Sequence, residues 1–221
     1  MAAEGARGSI AAGGAPARSQ RLGRPPACDS AVTRQRILDR ARAAFADVGY
    51  GAATNKNLAA AAGVTTSALY HYFPSKFELY AAVHRDAQLK MYERFGRAIA
   101  STDTFIGRLE AVLDAAHEMN SLDPTLPRLM ASVRVDARRH PELRAAFAAD
   151  ADHRIRFFES IVEIGVRTGE IDEADREKVK ILVRTILTGL IDAASYDGGV
   201  HLTAVETVKR LFEGKLIRPP A

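Results

Sequence analysis

Thr54-Asn55-Lys56 and Thr65-Thr66-Ser67-Ala68, with His71 just beyond, are the residues whose types and spacing suit chemistry. That chemistry is recognition of a nucleic acid. A hydroxyl at a helix start caps free N–H groups, and those groups together with the helix dipole favour phosphate oxygen. Thr54 and Thr65 are placed for both jobs. Thr66, Ser67 and Ala68 occupy the first turn of a helix, where small side chains admit base edges and an apolar contact with a thymine methyl. Asn55 and Lys56, on the preceding helix, suit phosphate contacts. His71 has two readings, a reader of base edges or a solvated side chain. No catalytic constellation competes with this set. His117-Glu118 is not followed by the rest of a zinc-protease motif, and the chain has no paired cysteines, P-loop or nucleophile elbow. Its six histidines are scattered, so neither a metal site nor a cofactor is expected.

These residues need two short helices crossing closely. Leu58, Ala59 and Ala62 recur at helical spacing, and Gly63 can take the left-handed conformation that ends the first helix. Ala59 and Gly63 carry almost no side chain, so the second helix, over 66–73, can pack tightly against the first. That is the steric requirement of a helix-turn-helix whose second helix enters a major groove. A longer helix over 33–48 precedes it, with Ile37, Ala41, Ala44, Phe45 and Val48 on one face and Gly49 ending it.

The stretch AGVTTSALYHYFPSK, residues 62–76, resembles the signature A-G-V-S-x-x-x-L-Y-x-Y-F-x-S-K of the TetR family of bacterial transcriptional regulators. TRQRILDRARAAFADVGYGAAT, residues 33–54, resembles the family's first helix. The match is dense over 33–83 and fades beyond. Ser67 stands where the family often has Gly or Ala, so a small residue is kept. The resemblance implies that Tyr72 and Lys76 contact phosphate, while Tyr70 and Phe73 help to pack the domain. It also implies a small, frequently apolar effector bound in the body of the chain.

Charge and composition agree with a nucleic-acid partner. Residues 1–80 hold ten Lys/Arg against five Asp/Glu, and the remaining 141 residues hold 21 against 22, for a net +4 over 221 residues. A basic head on a neutral body is the electrostatic footprint of a domain that binds nucleic acid. No apolar run is long enough to span a bilayer, and the start of the chain lacks a signal-peptide core. The single Cys28 excludes an internal disulfide and suits a reducing cytoplasm. Residues 1–30, rich in Ala, Gly, Pro and Arg, read as a disordered basic arm. Within it, Arg21 and Arg24 flank Gly23 before Pro25-Pro26, a segment suited to a narrow minor groove. A solvated tail is the other reading.

The domain division that follows is an arm over 1–30, a helix-turn-helix domain over 31–77, and an effector-binding and dimerisation domain over 78–221. The body reads as long helices without strands, so the fold expected is all-α with about nine helices. One continuous helix is expected from Pro141 to Gly169. Met91, Phe95, Leu113, Met119, Met130, Phe147 and Phe158 are either core or the lining of a cavity between the body helices, with His117, Asn120 and Arg134 able to orient a ligand. Val183, Ile186, Leu187, Leu190, Ile191 and Ala194, then Val205, Val208 and Phe212, form a wider apolar stripe than one neighbour can bury. An isologous homodimer would bury it as a four-helix bundle, the interface that the resembled family also uses. The function expected is that of a homodimeric repressor, released by a small effector from a palindromic duplex operator. The alternative is an all-α ligand carrier or enzyme with a basic accessory domain.

Overall fold

In the computed structural model, residues 27–149, 151–196 and 198–217 are described. They form ten α-helices and one 3-10 turn, with no strand among the described residues. The helix order is α1 (Ala27–Ala52), α2 (Asn55–Ala62), α3 (Thr66–Tyr72), α4 (Lys76–Ile99), α5 (Phe105–Leu122), α6 (Thr125–Arg139), α7 (Pro141–Ala149), α8 (Asp152–Thr168), α9 (Arg176–Tyr196) and α10 (Gly198–Phe212). The fold is all-α, as the periodicity implies.

Two apolar cores hold the molecule. The first joins α1, α2 and α3 to the start of α4, and it takes in Leu129, Met130 and Val133 of α6 with Leu143 and Phe147 of α7. The second joins Phe95 and Ile99 of α4 to Leu109, Val112 and Leu113 of α5, to α8, and to Val183, Leu187, Leu190 and Val205 of α9 and α10. One long and two short helices bury little surface by themselves, and the first core draws on helices from well beyond residue 77.

Two expectations are corrected here. The first helix begins at Ala27, not near Thr33; no Gly or Pro interrupts 27–33, so nothing there breaks the helix. The stretch from Pro141 to Gly169 is two helices, α7 and α8. Phe147 packs into the first core, whereas Phe157 and Phe158 pack into the second, so one straight helix could not serve both.

Polar contacts tie the head to the body. Buried Arg42 of α1 donates to Asp123 at 2.5 Å and to Thr125 at 3.0 Å, across the α5–α6 turn. Buried Asp136 of α6 accepts from the Tyr80 hydroxyl at 2.6 Å and from the Tyr50 backbone N–H at 3.0 Å. Burial, reinforced by the bond to Asp136, raises the Tyr80 pKa and keeps its hydroxyl protonated as a donor. Gly49 lies beside this junction with φ 73°, kinking the end of α1 in a conformation that favours glycine.

Candidate functional site

The helix-turn-helix is built by local bonds. Thr54 caps α2 by accepting from Asn57 N–H at 3.2 Å, and Thr65 caps α3 by accepting from Ala68 N–H at 3.1 Å. Gly63, at φ 66°, lets its own N–H and that of Val64 return to the carbonyls of Ala60 and Ala59. Leu58, Ala59, Ala62, Leu69 and Phe73 are buried beneath. Thr54, Lys56, Thr65, Thr66, Ser67 and His71 are exposed, with Asn55, Ala68 and Tyr72 half-buried beside them. The first turn of α3 therefore presents hydroxyls and small side chains to solvent on a scaffold that does not depend on them. Arg21 and Arg24 lie outside the described residues.

Two side chains make contacts that the sequence alone does not show. The Lys76 ammonium donates to the carbonyls of Tyr50 at 2.8 Å and Ala53 at 3.0 Å, and sits 4.5 Å from the centre of the Tyr50 ring. It thus caps the end of α1, where unpaired carbonyls and the dipole attract a cation. Tyr70, which the resemblance assigns to packing, is 45% exposed, and its hydroxyl accepts from the Asn55 amide at 2.6 Å, bridging α2 and α3. Phe73 is buried, with the Arg34 guanidinium 5.0 Å over its ring.

The body encloses a cavity of about 320 Å³. Of the residues singled out from sequence, Met91, Phe95, Met119, Met130, Arg134 and Phe158 line it, as does Asn120. Leu113 and Phe147 do not. Leu113 is fully buried in the second core, and Phe147 packs in the first, its ring centre 4.0 Å from that of His84 at a 46° tilt. His117 stands one shell away, its Nδ1 3.3 Å from Nδ1 of His201, which does line the cavity. Burial, with the neighbouring His117, lowers the His201 pKa.

The lining also includes residues that the apolar stripes gave no reason to choose, among them Gln88, Tyr92, Arg154, Arg184 and His201. His84 and Gln88 interrupt the apolar face of α4, and that is the one signal that could have found them. Burial pushes the Tyr92 hydroxyl up to about 12, while the Arg154 guanidinium nearby pulls it down. The carboxamide oxygen of buried Asn120 has no hydrogen-bond partner among the described residues.

The residues assigned to a dimer face divide. Val183, Leu187, Leu190, Ala194 and Val205 are buried within the chain's own structure, and Ile186, Ile191, Val208 and Phe212 are half-buried. The five buried residues cannot meet a partner, because α8, α5 and the cavity already cover that side of the stripe. The side of α9 and α10 that remains outward carries Leu182, Gly189, Tyr196, Leu202 and Leu211, all exposed.

Comparison with known proteins gives the lineage of this arrangement. The sequence pattern described as bacterial regulatory proteins, tetR family, matches residues 37–83. The HTH-type transcriptional repressor Rv1474c of Mycobacterium tuberculosis is 33% identical over 129 residues, covering 57% of this chain and 66% of that protein. The HTH-type transcriptional repressor AcnR of Corynebacterium efficiens is 26% identical over 196 residues, covering 85% of this chain and 94% of that one. The crystal structure of the transcriptional regulator FadR from Bacillus subtilis, in complex with stearoyl-CoA, superposes with a TM-score of 0.68 at 19% identity, covering 83% of this chain and 99% of that one. No helix among the described residues is long and apolar enough to cross a membrane. With the capped helix-turn-helix, the all-α body and these relatives in agreement, the chain belongs to the TetR family, whose members are DNA-binding transcriptional regulators and not enzymes.

Proposed function

We propose that this chain acts as a homodimeric repressor in the cytoplasm, holding a palindromic duplex operator until a small molecule fills the body cavity. Thr66, Ser67, Ala68 and His71 meet base edges in the major groove. Thr54, Asn55, Lys56, Thr65 and Tyr72 meet phosphates around it. The division of labour is a DNA-binding head up to about residue 77 and an effector and dimerisation body from 78 onward. The observation that carries this reading is a shared wall. Met130 and Val133 of α6 line the cavity and also belong to the first core, where α1 packs on α6.

A ligand that moves α6 or α4 therefore moves the head through Asp136 and Arg42. Two recognition helices reach successive major grooves only at a spacing of roughly 34–36 Å, so a small rotation of each head weakens binding. The ligand must bind the released state more tightly for this to occur. For the dimer we assign the outward face of α9 and α10, where Leu182, Gly189 and Tyr196 recur at seven-residue spacing. This assignment replaces the buried half of the stripe.

Titration of duplex operator DNA at rising salt tests the reading. Specific binding should be in the nanomolar range and fall steeply as salt increases. Ser67→Glu should abolish it with the melting temperature unchanged, since the side chain is exposed and the helix cap is untouched. Ser67→Glu binding DNA like the parent would remove α3 from the groove.

A further inference from the structure

The charge lining the cavity is one-sided. Arg134 of α6, Arg154 of α8 and Arg184 of α9 all line it, and among the described residues no Asp or Glu does. Past residue 80 the chain carries as many acids as bases, 22 against 21, so this lining does not reflect composition. Arg154 and Arg184 form no ion pair among the described residues. Arg134 reaches Asp192 only at 3.8 Å, and the Asp192 side chain is itself 58% exposed. The other polar residues of the lining include buried, neutral Gln88 and Asn120. The arginines are half-buried or exposed, which puts them at the mouth. Between lie aromatic and aliphatic walls, including Met91, Phe95, Phe157, Phe158 and Leu187.

Resting on the reading of this cavity as the effector site, we propose that its ligand is an anionic amphiphile, an apolar chain inside the body with a carboxylate or phosphoryl head among Arg134, Arg154 and Arg184. A guanidinium fork matches both head groups in geometry and charge. A low-dielectric wall with charge of one sign also concentrates ions of the other sign. The same field rejects a cation of equal shape, because its charge would sit against arginine with no acid among the described lining residues to pair it. This narrows the apolar effector that the resemblance implies. The chain is apolar, and the head is acidic.

The experiment is calorimetry on the full chain without DNA, using four probes that share one ten-carbon tail: decanoate, decyl phosphate, decanol and decyltrimethylammonium, each below its micelle concentration. We expect at least one anion to bind tenfold or more tightly than both the alcohol and the cation, with the advantage shrinking as salt rises. The relative strength of decanoate and decyl phosphate then distinguishes the two heads. In the double variant Arg154→Gln/Arg184→Gln the anion should fall to within about twofold of decanol, with decanol unchanged. The proposal is overturned if neither anion binds, if the alcohol or cation matches the better anion, or if the double variant keeps the selectivity. The wild-type series decides the matter even if the variant does not fold. Anion selectivity in a chain that fails to bind operator DNA would sink the repressor reading alone. Operator binding without selectivity would sink this one alone.

Discussion

The head and the body treat polar groups in opposite ways. Around α2 and α3 the helix starts have their own hydroxyl caps, at Thr54, Thr65 and Ser75. The buried carboxylate Asp136, the Arg42 guanidinium and the Lys76 ammonium each hold two partners or more. Around the cavity, Asn120 is buried with its acceptor unmet, and two arginines face the space without acids. A part that must present α3 at one fixed angle gains from complete satisfaction, since filled bonds and close packing leave a single arrangement. A part that must receive a molecule keeps unmet groups for that molecule to meet. The contrast separates what holds shape from what waits for a ligand.

The strongest way to break this comparison is to put a charge where α9 faces inward. Leu187→Arg would bury an unpaired guanidinium in the second core and should cost more than about 4 kcal/mol, giving unfolded or aggregated protein and not a soluble monomer. Leu182→Arg, on the outward face, should stay folded and sediment as a monomer. A folded Leu187→Arg would show that this side of α9 is not core.

Next in size is the head–body junction. Asp136→Ala strands two donors, the Tyr80 hydroxyl and the Tyr50 N–H, and should lower stability by about 2–4 kcal/mol in urea titration. A loss under 1 kcal/mol would mean that water replaces the carboxylate easily.

The caps and the cavity should then respond with opposite signs. Thr65→Ala removes the α3 cap and should cost about 1 kcal/mol. Asn120→Leu removes an unmet acceptor at similar volume and should leave stability unchanged or raise it by up to about 1 kcal/mol. If both variants lose stability equally, the body is as fully satisfied as the head.

The smallest effect is a pH slope. His201 has its pKa lowered from the ordinary histidine value of about 6.5, by burial first and by the neighbouring His117 second. As pH falls below 6.5 the unfolded chain takes up a proton that the folded chain resists, so stability should decline through the lower folded value. Urea midpoints at pH 7.5 and 5.5 should differ less in His201→Gln than in the parent.

How much of this was legible in the sequence depended on the range of the interaction. Thr54, Gly63, Thr65 and Ser75 act within four residues of themselves, through caps and a left-handed turn, so the helix-turn-helix and the exposure of Thr66 and Ser67 could be read directly. The apolar stripe of α9 was legible as a stripe, but its two sides were not distinguishable. Leu182 and Leu187 are the same residue type on one helix, and only the packing of α5, α8 and α10 decides which of them is core. The resemblance assigns Lys76 to phosphate, and nothing in its neighbourhood of sequence shows the carbonyls of Tyr50 and Ala53, which reach it from more than twenty residues away. The cavity was least legible of all. Arg134, Arg154 and Arg184 each read as the solvated face of a separate helix, and it took the tertiary structure to bring three distant charges to one cavity, with no acid among its described lining residues. Local bonds are written in neighbouring residues, whereas a field inside a cavity is the sum of groups that only folding assembles.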